Sequence, residues 1–218
     1  GGNYTWSETK GNVTSETRDN GPIAEVKNLY PEFRDFEQNA PHGFLPSDAT
    51  HKLRLWATYT VPTRLGNFTF SALERFDSGA AYSAIGLIDP AAYLSDAVLD
   101  QYSNRPGYVA YYFSDNGAYR FDDIQALDLS VNYRLRLGAA ELFFQPEIVN
   151  VFNGKANFNG TTSVYTNYND PSIAPFNPFT ETPVEGVHYV LDENFGQARD
   201  ANDYQLGRTY RFSFGVRF

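Results

Sequence analysis

The stretch that most constrains this chain is its last nine residues, Tyr210 to Phe218, where every second side chain back from the end is aromatic or aliphatic. A period of two puts Tyr210, Phe212, Phe214, Val216 and Phe218 on one face of an extended strand, with Arg211, Ser213, Gly215 and Arg217 on the other. Helical geometry would scatter the same residues around an axis. Soluble sheets rarely leave five large apolar groups on one face of a final strand. A lipid-facing strand does so by design, with apolar groups outward and polar groups inward.

The same period recurs upstream. His51 to Val61 carries Leu53, Leu55, Ala57, Tyr59 and Val61 on one face and Lys52, Arg54, Thr58 and Thr60 on the other, with Trp56 as the exception. After a short connection over residues 62–66, Asn67 to Leu73 resumes it. Leu127 to Leu137 sets Leu127, Leu129, Val131, Tyr133, Leu135 and Leu137 against Asp128, Ser130, Asn132, Arg134 and Arg136. Gly138-Ala139 then turns the chain into Ala140 to Phe152, with Leu142, Phe144, Pro146 and Ile148 opposite Glu141, Gln145 and Glu147. Pro146 weakens that ladder without forbidding it. A shorter strand is expected over Asn3 to Glu8.

A two-residue turn at Gly138-Ala139 fixes a register in which opposed residue numbers sum to 277. Leu135 then meets Leu142, Tyr133 meets Phe144 and Leu129 meets Ile148. On the other face Arg136 meets Glu141, Asn132 meets Gln145 and Ser130 meets Glu147. A slip of one residue would set charge among the apolar groups, so the pattern specifies this register strongly.

Between these strands lie three long segments, residues 11–49, 78–122 and 153–203, punctuated by Gly, Pro and Asn. A short helix is expected near residues 89–102. The connections alternate long, short, long, short, long, the order of an up-and-down barrel with long extracellular loops and short periplasmic turns. The long segments carry net charges of -4, -3 and -5 within a chain total of -9, which leaves the alternating segments net positive. That balance excludes a basic nucleic-acid footprint. The density of 16 Tyr and 18 Phe suits membrane interfaces. No Cys is present, so disulfides and thiolate metal sites are excluded. The chain opens on Gly1-Gly2-Asn3 without Met, as expected after removal of a signal peptide or for the tail of a longer protein.

Several short stretches resemble a known family. They are Tyr4-Thr5-Trp6-Ser7, Asp48-Ala49-Thr50-His51-Lys52-Leu53, Tyr59-Thr60-Val61-Pro62, Ser78-Gly79 before Tyr82-Ser83, Val149-Asn150-Val151-Phe152-Asn153, and Arg208 to the terminal Phe218. In this order they resemble the C-terminal part of TonB-dependent outer-membrane receptors, in particular Oar-like members with a carboxypeptidase-regulatory-like domain. The resemblance implies an all-β fold in which residues 1–218 form about six antiparallel strands of a transmembrane barrel of about 22 strands. It also implies energy-coupled uptake of a ligand, with outer-membrane lipid, the barrel-assembly machinery, a plug domain, further barrel strands and the TonB complex as partners. Nothing here matches the plug or the TonB-contacting segment. Six strands alone close no pore, so a fragment or one protomer of a shared barrel is expected.

Within that expectation Tyr210, Phe212, Phe214, Val216 and Phe218 form the assembly signal. Arg54, Asp128, Asn132, Arg134, Arg136, Glu141, Gln145, Glu147, Arg211 and Arg217 face the lumen, where the arginines pair with Asp128, Glu141, Glu147 or the plug. Tyr108, Tyr111, Tyr112, Tyr165, Phe176 and Phe179 are loop aromatics able to stack on a ligand or pack within the loops. No catalytic set, cofactor or metal is expected. His42, His51 and His188 have no spaced partner, and no serine sits in a nucleophile elbow. Asp192-Glu193-Asn194 and Asp200 to Asp203 are oxygen-rich but lack a calcium loop's spacing and Gly. Two other readings fit the same residues: a soluble or surface β-rich module whose loops hold carbohydrate, and a protomer of a multi-chain barrel.

Overall fold

The computed structural model describes residues 1–12, 17–18, 21–22 and 30–218. Strict alternation becomes six long or edge strands: β1 Gly2–Trp6, β2 His51–Thr63, β3 Gly66–Asp77, then, after two short strands β4 Ile85–Ile88 and β5 Val109–Tyr112, β6 Ile124–Leu137 and β7 Ala140–Val149. Two more short strands, β8 Ser163–Thr166 and β9 Tyr189–Leu191, precede the last, β10 Thr209–Arg217. The fold is all-β. Its main sheet is antiparallel in the order β1-β2-β3-β6-β7-β10, so strands adjacent along the sheet follow one another in the chain. Neither β1 nor β10 has a second neighbour among the described residues, and the sheet does not close on itself.

The expected register is present. Leu129 faces Ile148, Ser130 faces Glu147, Tyr133 faces Phe144, Leu135 faces Leu142 and Arg136 faces Glu141. Pairing lapses opposite Pro146, which has no N–H to give, while Asn132 still donates through its side chain to Gln145 at 2.8 Å. Gly138 turns the corner at φ 62°, a conformation that disfavours any Cβ. β3 runs four residues beyond the expected Leu73, carrying Glu74 onto the apolar face. β7 stops at Val149 because Asn150 enters a left-handed conformation at φ 53°.

Both tight turns lie at one end of the sheet and all three long connections at the other. Those connections are not separate loops. They interlock into a cap built on a second sheet, β5-β4-β8-β9, in which β8 lies parallel to β4. Its core unites Phe33 and Phe36 from the first segment, Ile88, Val109 and Tyr111 from the second, and Phe176 from the third. Phe33 is 0% exposed. The expected helix amounts to a 3-10 turn at Ala91–Tyr93 and one α turn at Asp96–Leu99, both packed on this core through neighbouring side chains. Among the described residues no helix is long and apolar enough to cross a membrane.

Candidate functional site

The main sheet is a single layer whose two faces have opposite chemistry. On one face the register lines up rows across the strands: Ala57, Ala72, Leu129, Ile148 and Tyr210, then Tyr59, Phe70 and Val131 with Pro146 and Phe212, then Val61, Phe68, Tyr133, Phe144 and Phe214. Phe68 and Tyr133 rings lie 4.6 Å apart and Phe144 stacks on Phe212 at 6.4 Å. No described element covers these rows. Phe212 is 66% and Phe214 83% exposed, and Leu55, Tyr59, Phe70, Leu129, Phe144, Tyr210 and Val216 are exposed as well. Phe218 lies just beyond β10, fully exposed. Toward the cap the band ends where Glu74 enters it between Leu55 and Leu127, its carboxylate accepting from Gln125 at 2.8 Å.

The opposite face is polar: Thr58, Ser71, Ser130, Glu147 and Arg211 form one row, and Thr60, Thr69 and Asn132 continue through Gln145 to Ser213 in the next. Arg54 stands directly opposite Arg75, a like-charge clash. Each escapes to the diagonal carboxylate. Arg54 grips Asp77 through two hydrogen bonds of 2.7 and 2.9 Å, and Arg75 reaches Asp128 at 2.7 Å. Asp128 therefore pairs with Arg75, not with any arginine the sequence nominated. Of the expected pairs, Arg211–Glu147 forms at 3.8 Å. Arg136 and Glu141 are opposed in register without an ion pair between them, Arg134 pairs with no acid among the described residues, and Arg217 lies over the Phe143 ring at 5.6 Å. Trp56 shares the polar face with Leu73 beside Asp128, an apolar spot on a hydroxyl-rich wall.

Of the stretches that carried the family resemblance, Asp48 to Leu53, Ser78-Gly79 and Val149 to Asn153 lie at the junction between sheet and cap, while Tyr59 to Pro62 lies beside a tight turn at the other end. Asp48 is buried and accepts from the Thr9 N–H (2.6 Å), Thr50 (2.9 Å) and Arg120 (2.6 Å). Burial raises its pKa, but these bonds outweigh it and hold the carboxyl below its ordinary range. Arg120 also reaches the Gly79 carbonyl, and a Cβ at Gly79 would meet the Phe121 carbonyl oxygen at 1.9 Å, so only glycine fits. Asn150, also buried, receives Gly154 N–H and donates to the Gly154 and Leu206 carbonyls, while its own N–H donates to Asp128.

The loop aromatics separate into two groups. Tyr111, 3% exposed, and Phe176 are spent on the cap core, and Phe179 packs against it; burial pushes the Tyr111 hydroxyl up to about 12. Neither Tyr111 nor Phe176 offers a ring face to a ligand. Tyr108 is exposed and lies 5.0 Å from Tyr168, and exposed Tyr165 donates to Asp192 at 2.7 Å. Tyr112 is half-buried in β5.

The oxygen-rich stretches cap turns. Asp192 accepts from the Asn194 N–H as well as Tyr165, and Asp200 accepts from the Asn202 N–H. Asp203 holds Arg199 in a two-point bridge of 2.9 and 3.0 Å, which draws its carboxyl down to about 2. His51 accepts from or donates to the Tyr4 hydroxyl at 2.8 Å, and His188 accepts the Val184 N–H. Among the described residues no three His, Asp or Glu side chains gather as metal ligands would.

Packing within the loops, one of the two expectations for Tyr111, Phe176 and Phe179, is what they do, but Phe33, Phe36, Ile88 and Val109 were not foreseen as core, because they lie in segments with no periodicity. The only local signal was Phe33 and Phe36 at a spacing of three between Pro31 and Asn39. Neither a protein family, a curated protein nor a solved structure matches the chain.

Proposed function

We propose that this chain is the C-terminal wall segment of a TonB-dependent outer-membrane receptor, with its apolar face against lipid, its polar face toward the lumen and its cap outside the cell. The observation that carries the reading is the uncovered single-layer sheet. A water-soluble sheet with an apolar face packs it against a second layer, and here no described residue supplies one. The band also has the right height. Ten residue steps from Leu127 to Leu137 span about 34 Å at ~3.4 Å each, or about 26 Å along the membrane normal at a tilt of ~40°. The apolar belt of such barrels is about 25 Å tall.

On this reading Arg54, Asp128, Asn132, Gln145, Glu147 and Arg211 form a hydrogen-bonding wall suited to a plug or a hydrated solute. Tyr108 and Tyr165 present rings to whatever meets the cap. The unpaired edges β1 and β10 meet further strands, since an open edge is not tolerated in hydrocarbon. TonB coupling rests on the resemblance of the junction and terminal stretches. The carbohydrate-binding module would need the apolar rows covered in water.

The test is fractionation of the native protein from washed outer membranes, with gel migration before and after boiling. Detergent-dependent, heat-modifiable migration of one long polypeptide is expected, and uptake by the intact cell should vanish when TonB is removed. Recovery as a detergent-free monomer would overturn the reading. A heat-sensitive oligomer of short chains would replace it with the shared barrel.

A further inference from the structure

All three long segments converge on one cavity of about 480 Å³ on the cap surface, a volume in the range of small-molecule sites. The first segment contributes Asp35 and Glu37, the second Asp115, and the third Glu181 together with Phe179. No Lys or Arg lines it among the described residues. Glu181 accepts the Asn177 N–H at 2.6 Å, whereas the carboxylates of Asp35, Glu37 and Asp115 receive no hydrogen bond or ion pair from any described residue. The floor adds unmet acceptors. Gln38 lines the cavity with its Oε1 buried and without a partner. Across Asp35 and Phe36, which it shares, lies a second cavity of about 420 Å³, where Asn39 is only 4% exposed and its Oδ1 is likewise without a partner.

The four carboxylates of this cavity can only accept, whereas its amides and hydroxyls can also donate, so the excess is of acceptors, and buried acceptors left unmade are costly. The missing complement is a donor-rich, positively charged group. Neighbouring aromatic faces, Phe179 above all, add attraction for the same charge. Arg34 lines the second cavity, so the place for the charge is the first.

We propose that this three-segment cavity binds a small organic cation bearing several N–H donors, a guanidinium or ammonium compound such as a basic peptide side chain presents. Its role as the entry site for uptake rests on the transporter reading; the binding chemistry does not. Sugar hydroxyls would satisfy the acceptors but leave the carboxylates uncompensated.

The probe is Nα-acetyl-arginine amide, titrated calorimetrically into the detergent-solubilised full-length protein, with uncharged Nα-acetyl-citrulline amide and a neutral oligosaccharide as comparisons. The acetylated arginine amide should bind at least tenfold tighter than its citrulline counterpart, and more weakly as salt rises from 50 to 500 mM, since exposed charges are screened over ~10 Å or less. Glu37→Gln with Asp115→Asn, both at exposed positions, should remove most of that preference while leaving heat-modifiable migration intact. Equal binding of the two amides, preference for the oligosaccharide, or an unchanged preference in the double variant would each overturn the proposal. Intact heat-modifiable migration without cation binding sinks this site and leaves the receptor reading standing; cation binding by a protein that migrates identically before and after boiling does the reverse.

Discussion

Asp203 illustrates what one carboxylate does in the cap. Its two oxygens hold Arg199 and the Arg199 N–H, and that grip lowers its pKa to about 2 from an ordinary value near 3.9. A group depressed on folding stabilises the folded form above its ordinary pKa and loses that contribution as protons bind. The turn at residues 199–203 should therefore hold above about pH 4 and loosen between about pH 4 and pH 2. Hydrogen exchange across that turn should accelerate in this window, and Asp203→Asn should remove the dependence by being loose throughout. Asp48 works differently. It ties the first long segment to the second through Arg120, so its carboxylate is a joint between segments where Asp203 closes a local turn. That distinction was not legible in the sequence, where Asp203 belongs to an oxygen-rich run and Asp48 opens a strand, with nothing local to say which partner either would take.

Among the elements, strands were the legible part, and for a physical reason. A period of two needs only neighbours along the chain, so alternation announced β2, β6, β7 and β10, and Gly138 fixed the register between two of them. Cysteines at Asn132 and Gln145 should crosslink readily in the membrane, whereas Asn132 with Pro146 should not, as a gel of the oxidised protein would reveal. Diagonal partners were less legible than direct ones. Arg75 and Asp128 sit two residues out of register, a relation that depends on sheet twist and side-chain reach. The rows also rank substitutions. Phe212 lies in the middle of the apolar band, so Phe212→Arg should cost about 2 to 4 kcal/mol in reversible folding into bilayers, while Val216→Arg, near the turn end, should cost about 0 to 1 kcal/mol. Equal costs at both positions would mean that the face is not immersed.

At the scale of the molecule, the proposed membrane reading sets sheet and cap in different solvents, so that they should fail separately. Phe33→Ala empties a fully buried site and should cost the cap about 3 to 5 kcal/mol. Protease added to intact cells should then cleave the long segments, while the strands keep their heat-modifiable migration. Phe218→Glu should do the opposite, lowering the amount inserted without changing the cap of the molecules that do insert; normal abundance with lost uptake would contradict an assembly role for Phe218. The parallel pairing of β8 with β4 has a further consequence, which concerns time. Thr166 donates to the carbonyl of Leu87, 79 residues earlier. Pairings that distant form late, because a long loop must close before any contact rewards it. The first two segments can pack Phe33 on Tyr102 by themselves, but Tyr111 and Phe113 must wait for Phe176 until the third has been delivered to the same side. If the chain is carried to the outer membrane as proposed, its secretion should thus include a stage in which the cap is still incompletely folded, and in that interval a holdase or a surface protease would compete with the arriving third segment for the same aromatic side chains.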